Sequence, residues 1–211
     1  MIKTLVFDIG NVLVEWNPIP YIRKVLGADV DAAWWNHAVF EGVEWKNGDE
    51  GIFSRRQTRE ALTVRYPDKA KEIGRLLDGC DEILRESACN AKLLEKLHRA
   101  GFELYFLSNT NPDAFEYMQK TCRFFSQMDG GIASYKVGLL KPSHKIFERF
   151  TDVYAKIPAE CIFVDDTPAN TAAARECGWN TVTLARIEDL ESELLAFSDV
   201  REQLWNKEET L

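Results

Sequence analysis

Four short apolar segments, rich in β-branched and aromatic residues, alternate along the chain with stretches of helical periodicity. The four lie at 2–7, 102–107, 161–164 and 181–184, and their length and composition predict β-strands. Between them, apolar residues recur at helical spacing, and Gly101 follows one such run where a helix is expected to end. This alternation predicts an α/β fold with a Rossmann-like parallel sheet and helices on both faces.

One long segment departs from the alternation. Residues 15–87 contain no convincing strand, but they contain helix candidates at 19–26, 29–39, 54–65 and 68–78 and the large aromatics Trp34, Trp35, Phe40, Trp45 and Phe53. We therefore expect a small all-helical cap at 15–87, inserted after the first strand, with 1–14 and 88–211 forming the α/β core. Because large aromatics dominate core burial, we expect them to form the interior of the cap.

Charge and cysteine content limit the partners and the compartment. The 26 Lys and Arg against 34 Asp and Glu give a formal net charge of −8, which opposes binding to nucleic acid. No apolar run exceeds four residues and the N-terminus does not resemble a signal peptide, so we expect no membrane segment. Five widely spaced cysteines without a CxxC pair predict buried free thiols in a reduced cytoplasm. We expect a monomer or a weak homodimer.

Polar residues follow the predicted strands directly. The first strand leads into Asp8-Ile9-Gly10-Asn11, the second into Ser108-Asn109-Thr110-Asn111, and the third into Asp165-Asp166-Thr167, while Lys141-Pro142 lies in a loop before a helix. Ligands of open parallel sheets bind at the carboxyl ends of the strands. The four segments are therefore predicted to meet in one crevice.

The side chains expected in that crevice suit a phosphoryl group. Asp8, Asp165 and Asp166 would repel one another without a hard cation, and carboxylate oxygens favour Mg²⁺. Ser108 and Lys141 can contact phosphate oxygens, and Asp8 can attack phosphorus to form an aspartyl-phosphate. Singly, an aspartate after a strand is more often a helix cap. The prediction therefore depends on all four segments together.

The four segments resemble the four motifs of the haloacid dehalogenase superfamily of hydrolases. Residues 6–13 resemble the first motif, 107–110 the second, Lys141-Pro142 the third, and 164–166 with Asn170 the fourth. The resemblance covers essentially the whole chain. It is greatest to the branch that contains the N-terminal phosphatase domain of soluble epoxide hydrolase and bacterial α-D-glucose-1-phosphate phosphatases, which have a cap after the first motif.

This resemblance implies the phosphate-binding and nucleophilic residues. Asp8 matches the nucleophile, and Lys141 matches a residue that binds phosphate and steadies that nucleophile. Ser108 matches the second phosphate-binding side chain. The full phosphate site is expected to comprise Ile9, Gly10, Ser108, Asn109 and Lys141.

The resemblance also implies a Mg²⁺ site. Asp8 and Asp166 match direct ligands, and Gly10 matches the residue whose backbone carbonyl binds the ion. Asp165 matches a ligand or water-mediated partner. Asn170, four residues after Asp166 on the same helical face, is expected to orient it.

Gly10 departs from the pattern of many phosphatases of the superfamily. They have an aspartate at this position, which protonates the leaving group and then activates water. Such general acid–base help contributes about 10²–10⁴-fold to the rate, and glycine cannot supply it. Phosphatases with the same Asp-x-Gly-Asn pattern occur in the resembling branch. The acid is therefore left open among a water molecule, Asn11 and a group from the cap, unless the substrate has an easier leaving group.

The expected function is Mg²⁺-dependent hydrolysis of a small phosphomonoester, such as the sugar phosphate α-D-glucose 1-phosphate. The candidates for contacting and recognising the leaving group are the cap residues Arg23, Trp45, Arg55 and Arg56. One alternative is a non-catalytic protein that binds phosphate-containing ligands, which the absence of a side chain at position 10 favours. Another is a metal-free haloacid dehalogenase, although the dehalogenases of the superfamily lack the acidic pair at 165–166.

Overall fold

A five-stranded parallel sheet forms the centre of the computed structural model, which describes residues 1–208. The sheet has the first strand of the chain in the middle, and each pair of neighbouring strands is parallel. The predicted α/β class with a Rossmann-like sheet is therefore confirmed. In chain order the strands are β1 (Thr4–Phe7), β2 (Val14–Glu15), β3 (Arg85–Glu86), β4 (Glu103–Ser108), β5 (Gly130–Ala133), β6 (Cys161–Asp165) and β7 (Asn180–Thr183), and the sheet order is β5-β4-β1-β6-β7.

Eleven α-helices lie within the described residues. Local sequence fixes several of their ends: Ser54 and Gln57 form a capping box at the start of one helix, and Gly101, with a φ of 95°, ends another. In chain order the helices are α1 (Pro18–Leu26), α2 (Ala32–Phe40), α3 (Val43–Asp49), α4 (Arg55–Arg65), α5 (Ala70–Gly79), α6 (Ala88–Ala100), α7 (Pro112–Thr121), α8 (His144–Tyr154), α9 (Pro168–Glu176), α10 (Leu190–Leu195) and α11 (Ser198–Glu208).

The sheet is covered on both faces because successive residues of a strand point to opposite sides. Leu5 and Phe7 of β1 pack in one apolar cluster with residues of α6, α7 and α10. Val6 packs in a second cluster with Phe147 of α8 and Ala173 of α9. Full burial of one such large side chain contributes about 1.5–3 kcal/mol. The two clusters hold the carboxyl end of β1 in a fixed position.

Helices α1, α2, α4 and α5 enclose an apolar cluster of their own. Leu62 is fully buried in this cluster, and Trp35 and Phe40 are buried members of it, as expected for aromatics of a cap interior. Trp34 lies at the surface instead, with 36% of its area exposed. This separate core supports our proposal that 15–87 forms a cap, and the name "cap" is used for that segment below.

Two short strands at the two ends of the cap were not expected. β2 and β3 pair antiparallel, with Val14 opposite Glu86 and Glu15 opposite Arg85. Strands of two residues are too short to show a period of two in the sequence, so their pairing depends on the surrounding fold. The expectation of a purely helical segment is therefore wrong at its two ends, where the chain enters and leaves the cap and β2 pairs with β3.

Strand β5 and helix α3 also escaped prediction, and glycine is the reason in both. The Gly130-Gly131 pair lacks the side chains that mark a strand, but a Cβ at Gly131 would lie 2.3 Å from the Phe106 ring. Helix α3 follows Gly42 and includes Gly48, and glycine disfavours helices. Tertiary packing therefore decides both elements against local propensity.

Ile187, Leu190, Leu194 and Phe197 have the spacing of a single amphipathic helix near the C-terminus, but the structure divides this segment. Ile187–Asp189 forms a 3₁₀ turn, α10 follows, and the chain turns again before Ser198. Leu190 and Leu194 are buried, so the spacing identified the apolar face correctly. A 3₁₀ turn followed by α-helix preserves nearly the same spacing, which hides the break.

The cysteines have free thiols. Three of the five, Cys80, Cys122 and Cys161, are buried, whereas Cys89 is exposed. The expectation of unpaired cysteines is confirmed, and the expectation of burial is wrong for Cys89. Within residues 1–208, no helix combines the length and the apolar character needed to cross a membrane.

Candidate active site

A crevice of about 560 Å³ lies at the carboxyl ends of β1, β4 and β6. This volume is typical of sites for small organic ligands. All four polar segments reach it, together with residues of the cap. Among the residues expected from the sequence, its wall contains Asp8, Ile9, Gly10, Asn11, Ser108, Asn109, Lys141, Asp166 and Asn170.

Asp8 lies directly after β1, and a tight turn holds it there. Its N–H donates to the carbonyl of Val164 at 2.8 Å, and its Oδ1 accepts from the N–H of Ile9 at 2.7 Å. The following turn is closed by the Asn11 N–H, which donates to the carbonyl of Val14 at 2.7 Å, with Asn11 at a φ of 52°. Asparagine tolerates this left-handed conformation better than most residues. The carboxylate of Asp8 is 13% exposed and faces the crevice.

Lys141 is the buried cation beside Asp8. Its Nζ lies 2.9 Å from Oδ1 of Asp8 and 2.6 Å from Oδ2 of Asp165, and its side chain is 1% exposed. Burial lowers the pKa of Lys141, but the charges of Asp165 and Asp8 outweigh burial and raise this pKa above its usual range. Lys141 is therefore charged at neutral pH.

Asn109 fixes the backbone on which Lys141 sits. Its Oδ1 accepts from the Lys141 N–H, and its Nδ2 donates to the Lys141 carbonyl, both at 2.9 Å. This pair of bonds joins the loop after β4 to the loop before α8. In the structure, Asn109 both lines the crevice and positions the lysine.

Burial raises the pKa of Asp8 to about 6. Attraction to Lys141 opposes this rise, repulsion from Asp165 adds to it, and hydrogen bonds from Lys141 and Ser108 oppose it. Ser108 is itself 2% exposed. The nearby ammonium and hydroxyl thus favour the carboxylate form of Asp8 against its buried surroundings.

Three carboxylates meet beside Lys141. Asp8, Asp165 and Asp166 each offer an oxygen, and these oxygens all lie within 4.8 Å of one another. Oxygen donors of this type and charge fit Mg²⁺. Asp166 is held by Asn11, whose Nδ2 donates to Oδ2 at 2.9 Å, and by the Thr167 hydroxyl. The donor set therefore fits the ion expected from the sequence.

Asp165 differs from the other two carboxylates because protein donors occupy its oxygens. It is fully buried, and it accepts from Lys141, from the Thr167 N–H at 2.8 Å and from Asn170 Nδ2 at 3.0 Å on both oxygens. The expectation that Asn170 orients Asp166 is therefore wrong. Asn170 follows Asp166 by one helical turn, but its amide turns inward to Asp165.

The cap contributes an aromatic wall. Trp16 and Trp45 are stacked with ring centroids 5.8 Å apart, and the Phe40 ring lies 5.1 Å from Trp45. All three line the crevice, together with Glu41, Lys46 and Asp49. Of these six residues, the sequence singled out only Trp45 as a candidate for contacting the leaving group. Trp16 and Phe40 follow no motif, and only the packing of the cap on the core reveals them.

The cap arginines proposed from the sequence have other partners. The Arg55 guanidinium forms two hydrogen bonds with Asp81, at 2.8 and 2.7 Å. Arg56 is exposed and lies 3.8 Å from Glu60. Neither residue, nor Arg23, is part of the crevice wall among the residues that the structure describes. The suggestion that they read the leaving group is therefore not supported.

Comparison with protein families gives one match that covers most of the chain. Residues 2–178 match the model of the haloacid dehalogenase-like hydrolases. The chain therefore belongs to this family, as the four motifs implied. The particular branch within the superfamily stays a prediction.

Characterised relatives include phosphatases and a dehalogenase. A sesquiterpene phosphatase of Aspergillus oryzae is 26% identical over 83% of this chain and 86% of its own length. A D-ribitol-5-phosphate phosphatase of Bacteroides thetaiotaomicron is 27% identical over 86% and 91%. An (S)-2-haloacid dehalogenase of Burkholderia cepacia is 28% identical over 67% of this chain and 59% of its own.

The fold is also found in solved structures. A HAD family enzyme from Bacteroides thetaiotaomicron, crystallised with magnesium and inorganic phosphate, superposes with a TM-score of 0.67 at 24% identity. The match covers 87% of this chain and 94% of that one. At this identity the likeness establishes a shared fold.

Proposed function

We propose that this haloacid dehalogenase-like hydrolase is a Mg²⁺-dependent phosphatase that acts on small phosphomonoesters through an aspartyl-phosphate on Asp8. The observation that carries the proposal is the surroundings of Asp8: its carboxylate lies 2.9 Å from the buried Lys141 ammonium and belongs to a cluster of three carboxylates. A nucleophile, a fixed cation and a site for a divalent ion thus meet in one crevice.

The residues of this chain divide the phosphoryl transfer between them. Asp8 attacks phosphorus, and the alcohol leaves on the opposite side. Lys141 and Ser108 bind the phosphoryl oxygens, with Asn109, Ile9 and Gly10 forming the rest of the phosphate site. Lys141 also keeps Asp8 ionised, because a carboxylate beside an ammonium resists protonation. Water then hydrolyses the aspartyl-phosphate.

Asp8, Asp166 and the carbonyl of Gly10 are the proposed Mg²⁺ ligands, and Asp165 is the indirect partner of the site. When bound, Mg²⁺ supplies positive charge that offsets the negative charge of the phosphoryl oxygens. Asp165 instead holds Lys141, since four protein hydrogen bonds reach its oxygens.

The carboxylate cluster favours a phosphatase over a dehalogenase. Attack on carbon with departure of a halide needs no cation, and three carboxylates beside a halide site would disfavour it. The relatives that are phosphatases also match a larger share of this chain than the dehalogenase does. A non-catalytic binding protein remains the alternative that Gly10 favours, and turnover separates the two.

The crevice wall supports a leaving group with both apolar and polar parts. Trp16 and Trp45 offer flat apolar surfaces, and Lys46 and Glu41 offer charges for hydroxyl groups. A sugar phosphate such as α-D-glucose 1-phosphate combines these features. A polyol phosphate and a terpenyl phosphate, the substrate types named for two relatives, are the other candidates for a substrate screen.

The proposed setting is the cytoplasm, with a small phosphorylated molecule as substrate and neither nucleic acid nor membrane as partner. The free thiols and the net charge of −8 support this setting. A monomer or weak homodimer stays a prediction.

Phosphate release from p-nitrophenyl phosphate tests the proposal. This activated ester needs little acid assistance, so Gly10 does not mask activity. We expect release with Mg²⁺, none with EDTA, and none from Asp8→Asn, which should fold normally. Asp152→Asn, an exposed aspartate of α8, is the matched control and should retain activity. Equal release by Asp8→Asn and wild type would rule out Asp8 as the nucleophile.

A further inference from the structure

We propose that Asp49, at the end of cap helix α3, is the general acid and base of this reaction and replaces the side chain that Gly10 lacks. This inference rests on the proposed phosphatase function and assigns one of its missing parts. Asp49 lines the same crevice as Asp8, Ser108 and Lys141, but it reaches the crevice from the cap. In an in-line displacement the alcohol leaves on the side of phosphorus opposite Asp8, and the proposal assigns Asp49 to that side.

Contacts with the core hold Asp49 in place. The Ser134 hydroxyl hydrogen-bonds to the Asp49 carbonyl, and the same hydroxyl accepts from the Thr110 N–H at 2.9 Å. Thr110 follows Ser108 by two residues, so the backbone of Asp49 is tied to the proposed phosphate-binding loop. Ser134 is fully buried. This connection makes the position of Asp49 depend on the core, not only on its own helix.

Gly51 permits this close approach. A Cβ at Gly51 would lie 2.6 Å from the carbonyl oxygen of Tyr135, and the residue has a φ of 79°. Both facts require glycine at this position. The chain can therefore bring Asp49 against the core only because no side chain follows two residues later.

The Asp49 side chain has one protein donor and one open oxygen. Asn111 Nδ2 lies 3.4 Å from its Oδ1. The orientation of this amide is fixed because Asn111 Oδ1 accepts from the Ala114 N–H at 3.0 Å as the cap of α7. Within residues 1–208, Oδ2 has no protein partner. That oxygen is free to hold a proton for the leaving group.

Burial raises the pKa of Asp49 to about 7. The hydrogen bond from Asn111 lowers this pKa, and the negative charge of Asp8 raises it further. An acid of this strength is protonated in part at neutral pH, which suits both proton donation and proton removal. The other charged groups of the crevice are Glu41, Lys46, Lys141 and Asp166.

The proposed proton transfers balance over the two steps. In the first, an Asp8 oxygen bonds to phosphorus, the phosphorus–oxygen bond of the ester breaks, and the Asp49 proton passes to the leaving alkoxide, so that a neutral alcohol departs. In the second, Asp49 takes a proton from water as the water oxygen bonds to phosphorus. The Asp8–phosphorus bond breaks, inorganic phosphate leaves, and Asp49 is again protonated.

The dependence of the rate on the leaving group tests this role. Wild type, Asp49→Asn and the neighbouring control Glu50→Gln are compared on p-nitrophenyl phosphate and on phenyl phosphate, whose phenol is a much poorer leaving group. We expect Asp49→Asn to lower kcat/KM on phenyl phosphate by about 10²-fold or more, and on p-nitrophenyl phosphate by less than about tenfold. Glu50→Gln should change neither. Melting curves establish that each variant is folded.

Other outcomes separate the possible failures. An equal loss on both esters would make Asp49 a structural residue, and no loss on phenyl phosphate would remove it from the reaction; either result overturns the proposal. A wild type that hydrolyses neither ester, with or without Mg²⁺, contradicts the phosphatase function itself. As a second readout, kcat/KM of wild type on phenyl phosphate should fall above about pH 7, and Asp49→Asn should lack this fall.

Discussion

The Lys141 ammonium lies 2.6 Å from Oδ2 of Asp165, and both side chains are almost completely removed from water. Removing one partner of a buried pair costs about 3–5 kcal/mol when the other charge is left alone, and Asp8 as a second partner of Lys141 keeps the cost here at the low end of this range. Asp165 thereby fixes the position of Lys141, which in turn lies 2.9 Å from Asp8. The core of the site is thus a chain of two ion pairs that share one lysine.

Asp165→Asn should therefore destabilise the protein. We expect the free energy of unfolding to fall by about 3 kcal/mol in urea titrations with EDTA. Glu191→Gln is the matched control, because the Lys96–Glu191 pair at 3.2 Å is nearly half exposed, and such pairs contribute at most about 1 kcal/mol. Equal effects of the two substitutions would show that the buried pair does not stabilise the fold.

Asp166→Ala should weaken Mg²⁺ binding. In wild type, Mg²⁺ at 100 times its Kd should stabilise the folded state by about 2.7 kcal/mol, seen as a rise in Tm. Most of this rise should disappear in Asp166→Ala and persist in Asp152→Asn. This measurement needs no turnover. A full Mg²⁺-induced rise in Asp166→Ala would place the ion elsewhere.

Trp45→Ala should weaken binding of the leaving group and leave binding of phosphate intact. Trp45 stacks on Trp16 and lines the crevice from the cap, and loss of an aromatic contact of this kind costs about 0.5–1.5 kcal/mol beyond the lost area. We expect KM for p-nitrophenyl phosphate to rise about tenfold, with an unchanged inhibition constant for inorganic phosphate. Val64→Ala, on an exposed position of α4, is the control. A parallel rise in both constants would contradict this assignment.

Asp49 should make stability depend on pH. Its pKa rises from 3.8 to about 7 on folding, so the folded state binds the proton more tightly and loses stability as pH increases from about 4 to about 7. The loss is at most about 1.4 kcal/mol per pH unit, and less because the side chain is partly open to the crevice. Asp49→Asn does not titrate, so it should be more stable than wild type at pH 8 and gain little at pH 4. Asp8 titrates in both proteins, but its contribution cancels only in part because its charge acts on Asp49. An advantage that does not change with pH would contradict the raised pKa.

The central residues of the site could be predicted from the sequence because they lie at the ends of predicted strands. Asp8, Ser108 and Asp165 each end or directly follow a buried strand, and parallel strands bring such residues to one edge of the sheet. Lys141 does not follow a strand, so its position in the crevice could be predicted only from the resemblance of Lys141-Pro142 to a family motif. In the structure, two hydrogen bonds from Asn109 hold the loop before α8 at the crevice.

The cap side could not be predicted in the same way. The contribution of Asp49 depends on the contact of Gly51 with Tyr135, which joins segments more than 80 residues apart and leaves no periodic pattern. The direction of the Asn170 side chain could not be predicted from the sequence either. From its position in the sequence, Asn170 could contact either Asp165 or Asp166. In the structure its amide donates to Asp165, because Asp165 is the buried one of the two.

The central claim is that the phosphoryl group passes through Asp8, and trapping it there is the most direct test. Wild type and Asp49→Asn are mixed with p-nitrophenyl phosphate and Mg²⁺, quenched in acid within the first turnover, digested and mapped by mass spectrometry. We predict a phosphoryl group on the peptide that contains Asp8, in greater amount for Asp49→Asn because hydrolysis of the intermediate then lacks its base. Release of p-nitrophenol with no phosphoryl group on that peptide in either protein would contradict the account.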